Sequence, residues 1–249
     1  MAIIQVANLC HRFADGTRGL DNVTLAFEAG EFTVIVGANG SGKTTLLRHL
    51  NGLLFPESGS VRVCGRSVRQ NPLQARQVVG MVFQDADSQI VGETVYDDVA
   101  FGPENLLRDR LEIDRRVADA LAAVGLSGLE DKRPHLLSGG EKRRLAIAGV
   151  LAMAPRVLLM DEPFSNLDYP ATCRVLAQMR ELHDTGRTII MTTHDLEKVA
   201  AHVQRIVVMA HGRVVADGRP EAVMPEVTRY GIRLPCSVQL GMGVLSWAS

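Results

Sequence analysis

Eight consecutive residues, Gly37-Ala38-Asn39-Gly40-Ser41-Gly42-Lys43-Thr44, fill every position of the pattern G-x-x-x-x-G-K-[ST], and Thr45 follows. Each residue type has a chemical reason. Glycines let successive backbone N–H groups turn inward around phosphate oxygens, where a Cβ at Gly37 or Gly42 would intrude, and the helix that follows adds partial positive charge. Lys43 would reach the outer phosphates and the Thr44 hydroxyl would ligate Mg2+. The apolar run Glu31-Phe32-Thr33-Val34-Ile35-Val36 leads in and Leu46-Leu47-Arg48-His49-Leu50 leads out, so the loop lies between a strand and a helix, the context it requires.

Three further groups stand where chemistry is plausible. Val157-Leu158-Leu159-Met160 ends in Asp161-Glu162-Pro163, and two carboxylates at the tip of a buried strand are costly unless they serve a cation or a reaction. Thr188-Ile189-Ile190-Met191-Thr192-Thr193 ends at His194, the one histidine of seven placed at the end of a core strand; His11, His49, His135, His183, His202 and His211 take surface or packing roles. Leu137-Ser138-Gly139-Gly140-Glu141-Lys142-Arg143-Arg144 opens a helix with a second anion-friendly N-terminus. Phe13, a little upstream of the phosphate loop, offers a ring that either stacks on a base or packs in the core.

These groups need a frame, and the rest of the chain can supply one. The 249 residues are 46% hydrophobic, ample for one large domain or a domain with an inserted subdomain. A net charge of −1 with no basic cluster argues against a nucleic-acid partner. Cys10, Cys64, Cys173 and Cys236 stand apart with no C-x-x-C pair, which argues against both a zinc site and a disulfide framework and fits a reduced cytosolic compartment. The start carries no basic leader and reads as a strand, and no apolar run of about 18 residues could span a bilayer, so work at a membrane would go through a partner.

Strand-like runs at 2–9 and 23–36 are separated by turns at Ala14-Asp15-Gly16 and Ala29-Gly30. Strands follow at 60–64 and 78–83, the latter ending at Gln84. From Asp85 the pattern turns helical, with Ile113, Val117, Leu121 and Val124 on one face, and an inserted helical subdomain is expected over about 85–150. Residues 205–209 and 213–218 read as a hairpin turning at His211-Gly212. A domain over 1–224 and a short tail over 225–249 are expected.

The ordered set of phosphate loop, Gln84, Leu137-to-Glu141, Val157-to-Glu162, Ser165-Asn166-Leu167-Asp168 and His194 resembles the nucleotide-binding subunit of ATP-binding-cassette (ABC) transporters over nearly the whole chain. The resemblance implies an α/β fold of the P-loop NTPase, ABC type, with an antiparallel β subdomain and an inserted helical one. It implies ATP and Mg2+ as ligands, and a dimer of two ATPase subunits, identical or paralogous, in which each ATP lies between the phosphate loop of one protomer and the Leu137-to-Glu141 helix of the other. By that resemblance Gly37, Asn39, Gly40, Ser41, Gly42, Lys43, Thr44 and Thr45 hold the phosphates, with Thr44, Gln84 and Asp161 around Mg2+. Glu162 polarises the attacking water, His194 contacts the γ-phosphate, Asp168 couples the two sites, and Ser138, Gly139 and Gly140 close on ATP from the opposite subunit. Phe13 stands where relatives usually place an adenine-stacking tyrosine, which favours its stacking role.

A narrower resemblance rests on Asp97-Asp98-Val99-Ala100-Phe101-Gly102-Pro103-Glu104-Asn105-Leu106, on Gln84-Asp85-Ala86-Asp87-Ser88-Gln89 and on Tyr230-Gly231-Ile232-Arg233-Leu234-Pro235. These are similar to segments of the ATPases of energy-coupling-factor importers. That implies peripheral attachment at the cytoplasmic face of the cell membrane, to an integral membrane coupling subunit and a substrate-binding membrane subunit, with cobalt the first expected cargo and nickel and biotin next. Glu93, Asp97 and Asp98 are expected to pair with arginines of the membrane partner. Alternatives are the ATPase of a conventional ABC importer or exporter, a soluble ABC protein acting on DNA or the ribosome, and a noncatalytic cassette. The absence of a second cassette, a heptad run or basic arms speaks against the soluble reading, and Lys43, Gln84, Asp161, Glu162 and His194 together speak against the noncatalytic one.

Overall fold

The computed structural model describes residues 1–106 and 109–247; Leu107 and Arg108, inside the expected helical subdomain, and Ala248 and Ser249, at the end of the expected tail, lie outside the described residues. In chain order come β1 (Ala2–Arg12), β2 (Arg18–Glu28), β3 (Phe32–Val36), α1 (Lys43–Leu50), β4 (Ser58–Val63), β5 (Arg66–Ser67), α2 (Pro72–Val78) and β6 (Val79–Val82). Helices follow: α3 (Val95–Leu106), α4 (Arg110–Ala123) and, after a 3-10 turn at Pro134–Leu136, α5 (Gly139–Leu151). Then come β7 (Val157–Asp161), α6 (Tyr169–Asp184), β8 (Thr188–Thr193), β9 (Arg205–Ala210), β10 (Arg213–Gly218), α7 (Pro220–Val223), a 3-10 stretch at Met224–Tyr230 and α8 (Cys236–Gln239).

Two sheets result. The smaller is antiparallel with strand order β2-β1-β4-β5, and the larger has the order β10-β9-β3-β8-β7-β6, parallel except for β10 at its edge. Every residue of β3, β7 and β8 is buried, as parallel strands covered on both faces require. Along β3 the faces alternate: Phe32, Val34 and Val36 join the core beneath the helices, while Ile35 joins the core against the antiparallel sheet. The parallel register brings the C-terminal ends of β3, β6, β7 and β8 to one edge of the sheet, where open α/β folds bind ligands. This is the architecture expected, an α/β core with an antiparallel subdomain and inserted helices.

The inserted helices pack as read. Ile113, Val117, Leu121 and Val124 are all buried, and Asp109 caps α4 by accepting from the Leu111 N–H at 3.1 Å. The Gly102-Pro103 pair does not end α3, which runs through it to Leu106. A Cβ on Gly102 would come within 2.7 Å of the Met153 side chain, so glycine there lets α3 lie close to the segment after α5.

Some elements differ from expectation. β1 and β2 run past the expected stretches and pair His11 with Leu20 and Arg12 with Arg18, the buried Leu20 extending the apolar face and the backbone pairing continuing at the exposed Arg12 and Arg18. Helices α2 and α6 arise where none was expected. The C-terminal stretch packs on the main domain, with Val227 and Ile232 buried in the core under the helices.

Candidate functional site

The phosphate loop leaves β3 and enters α1. Gly37 is buried against the Met209 carbonyl and the Ser41 hydroxyl, so a side chain there would collide with both. Gly42 caps α1 at φ +102°, a left-handed backbone that glycine adopts freely, with the Gly19 carbonyl closing the space a Cβ would need. Lys43 is 6% exposed, and its Nζ donates to the carbonyls of Gly37 at 2.7 Å and Ala38 at 3.2 Å. Burial pushes its pKa down while Glu162 and Asp161 pull it back up, so the ammonium is held over its own loop facing two carboxylates. The Ser41 hydroxyl is buried and has no hydrogen-bond partner among the described residues.

The tip of β7 closes the other side. Asp161, 3% exposed, accepts on Oδ1 from the Thr44 hydroxyl at 3.0 Å and from the Thr192 hydroxyl at 2.6 Å, tying α1, β7 and β8 together. Glu162 has φ 45°, and its N–H donates to Thr192, to the carbonyl at 3.2 Å and to the hydroxyl at 3.1 Å. That turn directs the carboxylate toward His194, whose Nδ1 lies 3.0 Å from Glu162 Oε2. Glu162 is buried and the His194 side chain 63% exposed, so the pair spans the boundary between core and solvent. Gln84 is exposed at the end of β6, in a cleft of about 520 Å3 that it shares with Thr44 and Asp161. Thr44, Asp161 and Gln84 thus offer three hard oxygen donors around one opening, a donor set suited to Mg2+.

Phe13 is 41% exposed, which removes the core alternative for it. Its ring stands edge-on to His11 at 4.8 Å, and His11 stands edge-on to His49 of α1 at 4.8 Å. His49 has the packing role expected, fully buried with Nδ1 2.8 Å from the Thr45 carbonyl; burial pushes its pKa down and keeps it neutral.

The remaining site residues lie apart from this centre. Ser138 caps α5 and forms a capping box with Glu141. Gly140 meets α6, where a Cβ would come within 2.8 Å of the Ala171 methyl. Asp168 caps α6, accepting from the Ala171 N–H at 2.9 Å. Among the described residues no hydrogen bond or ion pair joins Ser138, Gly139, Gly140 or Asp168 to the phosphate loop, and Ser138 and Gly139 face solvent.

One acidic expectation is corrected, that for Asp98. Asp98 is buried, and its Oδ1 accepts from the N–H groups of Val91 at 2.7 Å and Gly92 at 3.0 Å, so it is spent on the turn before α3. Desolvation pushes its pKa up. Thr94 caps the same helix by accepting from the Asp97 N–H at 3.1 Å, the exposed Asp97 carboxylate accepts in return from the Thr94 N–H at 3.1 Å and hydroxyl at 2.6 Å, and Glu93 alone of the three has no such bond among the described residues. Asp98 lines a groove of about 270 Å3 together with Leu53, Phe101, Gly102 and Met153.

Sequence reasoning missed Arg143. This residue of α5 is 4% exposed, donates through Nη1 to the Phe83 carbonyl at 2.6 Å and through Nη2 to the Gln84 carbonyl, and so fastens the glutamine loop to the Ser138 helix. Its signal is faint: in Lys142-Arg143-Arg144, successive helical positions 100° apart cannot all face water.

A family model described as ABC transporter matches residues 20–165. The energy-coupling factor transporter ATP-binding protein EcfA of Methanocaldococcus jannaschii is 40% identical, aligned over 94% of this chain and 86% of its own. The cobalt import ATP-binding protein CbiO of Rhodobacter capsulatus is 42% identical over 96% and 88%. Among solved structures, cbiO1 of Clostridium perfringens, part of the complex cbiONQ, superposes with a TM-score of 0.84 at 38% identity, covering 96% of this chain and 98% of that one. A dimeric ATP-binding cassette bound to ADP and phosphate superposes at 0.78 with 27% identity, over 87% and 98%. The family model spans more than half of a chain that already carries the phosphate loop, the strand-end carboxylates and the histidine at one edge of the parallel sheet, and the chain belongs to the ABC transporter family as an ATP-hydrolysing cassette.

Proposed function

We propose that this chain is the ATPase subunit of an energy-coupling-factor importer, and that it works as a dimer on the cytoplasmic face of the membrane and drives uptake of a transition-metal ion, cobalt first, or of a vitamin. No helix among the described residues is long and apolar enough to cross a membrane, so the cargo path would belong to membrane subunits. The observation that carries the energy-coupling reading is the Asp97-to-Leu106 segment folded as a helix along an open groove, in a chain about 40% identical over nearly its whole length to EcfA and CbiO.

The chemistry follows from positions. The loop N–H groups and Lys43 hold the triphosphate, and Phe13 offers its open face to the base. Mg2+, held by Thr44, Gln84 and Asp161, would neutralise phosphate charge. Glu162, fixed by the Thr192 bonds to its N–H and by His194, orients and polarises a water in line with the γ-phosphate. A carboxylate accepts, so this contact calls for a proton on Nδ1 of His194 and leaves Nε2 free of Glu162. The exposed Ser138-Gly139 start of α5 and the Asp168 loop have no partner on their own phosphate loop. That supports completion of each site by a second subunit, whose helix N-terminus would face the γ-phosphate.

The test is an affinity pull-down of tagged protein from detergent-solubilised native membranes, with identification of co-purifying membrane proteins and ATPase assay of the eluate. A small multi-helix coupling protein with a substrate-binding membrane subunit is the expected result. Two large permease subunits would replace the reading with a conventional ABC importer or exporter, and soluble partners alone would remove transport from it.

A further inference from the structure

The sequence holds a single tryptophan, Trp247, and the fold returns it from the far end of the chain to the catalytic edge. Its ring lies 4.8 Å from that of Tyr169, the residue directly after Asp168, with the planes at 60°. Lys198, four residues after His194, places its ammonium 5.9 Å from the Trp247 ring centre and 6.0 Å from that of Phe164, two residues after Glu162. Lys198 also pairs with Asp195 at 3.4 Å. The segment leading to Trp247 is anchored rather than loose: the Cys236 N–H donates to Glu197 Oε2 at 2.7 Å, Leu245 N–H to the Ser237 hydroxyl at 3.3 Å, and Val238 and Val244 pack on the main core.

The indole is therefore joined to both segments that begin at Glu162 and His194, to the first through Tyr169 at the start of α6 and to the second through Lys198, which also meets Phe164. We propose that Trp247 is a positioning residue for ATP hydrolysis, and that the C-terminal segment is a strap which clamps the loop after Glu162 to the loop after His194. The need for a clamp is visible in the backbone. Glu162 has a left-handed φ of 45°, a geometry that a glutamate holds only when its surroundings fix it. Cation–π contacts of one ammonium with two rings join the loops with a direction that burial alone lacks. Small displacements matter here, because an attacking water is useful only in line with the phosphate. The strap also makes the indole a reporter, since closure of a second subunit over ATP would press on the Asp168–Tyr169 turn beneath it.

This inference rests on Glu162 and His194 serving hydrolysis, so Glu162→Gln is measured first in the full-length chain; persistent turnover there would remove that assignment and leave the strap without a function. With it in place, Trp247→Ala is expected to lower kcat about fivefold with KM for ATP within about twofold, and Trp247→Phe to restore most of the rate. Unchanged kcat, a raised kcat, or Trp247→Phe as slow as Trp247→Ala would overturn the proposal, the first whether or not the melting temperature falls. If the alanine variant does not fold, acrylamide quenching of the indole in the Glu162→Gln protein decides. ATP should protect Trp247 from the quencher, and equal quenching with and without ATP overturns the strap.

Discussion

Arg143 allows a stability prediction whose sign depends on competing terms. The guanidinium is 4% exposed, has two backbone carbonyls as acceptors, and lies in no ion pair among the described residues, while its Nε is buried without a partner. Burial pushes its pKa down, opposed by the more distant Asp85 and Asp161. Two hydrogen bonds from a charged donor contribute about 1.5 to 3 kcal/mol each. Against them stands a desolvation cost of several kcal/mol, roughly repaid only when geometry and all donors are satisfied, which is not the case at Nε. Arg143→Ala loses both bonds, leaves the Phe83 carbonyl short of a donor and opens a cavity; the exposed Gln84 recovers water. The net loss is about 2 to 4 kcal/mol, or roughly 5 to 12 °C in Tm for a chain of this size. Arg143→Met fills the space without a charge to desolvate and should lose only about 1 to 2 kcal/mol. Arg143→Lys keeps the charge but cannot fork to two carbonyls, and should be less stable than the methionine variant. Thermal unfolding at one pH ranks the three. A lysine variant at least as stable as the methionine one, or an alanine variant within about 2 °C of the parent, would refute the reasoning.

Further outcomes follow from the site and its border. Glu162→Gln should cut kcat by about a thousandfold while leaving ATP affinity near the parent value, as read by single-turnover hydrolysis against nucleotide binding; equal losses in both would mean that the residue binds rather than polarises. Asp98 has a raised folded-state pKa, so the native state holds its proton more tightly than the unfolded chain, and the ionised carboxylate costs stability that is recovered as pH falls through the raised value. Asp98→Asn keeps an oxygen for the Val91 and Gly92 N–H groups without that charge. Urea midpoints should therefore favour the variant over the parent more at pH 7 than near pH 4, and a gap independent of pH would count against the burial argument. Asp98→Ala strands both N–H groups and should cost about 2 to 4 kcal/mol at either pH. Glu93→Lys, which disturbs no hydrogen bond of the fold, should reduce co-purification of the membrane partner with ATP binding unchanged, and full recovery of the partner would exclude electrostatic pairing at that residue.

What could be read in the sequence was what chemistry or burial dictates locally. The phosphate loop admits few residues at each position because N–H groups must converge, and β3, β7 and β8 announce themselves because a strand buried on both faces must be apolar throughout. The hairpin at His211-Gly212 and the buried face of α4 were legible for the same kind of reason. Helix α6 was legible in principle, with Asp168 at the cap, Pro170 in the first turn and Val175, Leu176, Met179 and Leu182 on one stripe, but its opening residues were read for chemistry instead. Asp98 was misread because an acid in the first turn of a helix usually faces water, and only the fold shows which N–H groups lie beneath it.

The functional residues that stayed hidden share a physical cause. Arg143 and Trp247 act through partners far along the chain, the glutamine loop for one and the Asp168 turn for the other, and a long-range contact leaves no period or spacing to detect. Lys198 is a solvated lysine by sequence, and only the two rings about 6 Å from its ammonium give it a role. Residues that touch phosphate are restricted in type by the ligand, whereas residues that hold the loops are restricted only by the packing each chain happens to use. The positioning layer of such a site is therefore where relatives with the same phosphate loop have freedom to differ. For this chain that layer is an arginine beneath the glutamine loop and an indole across the two loops that carry Glu162 and His194.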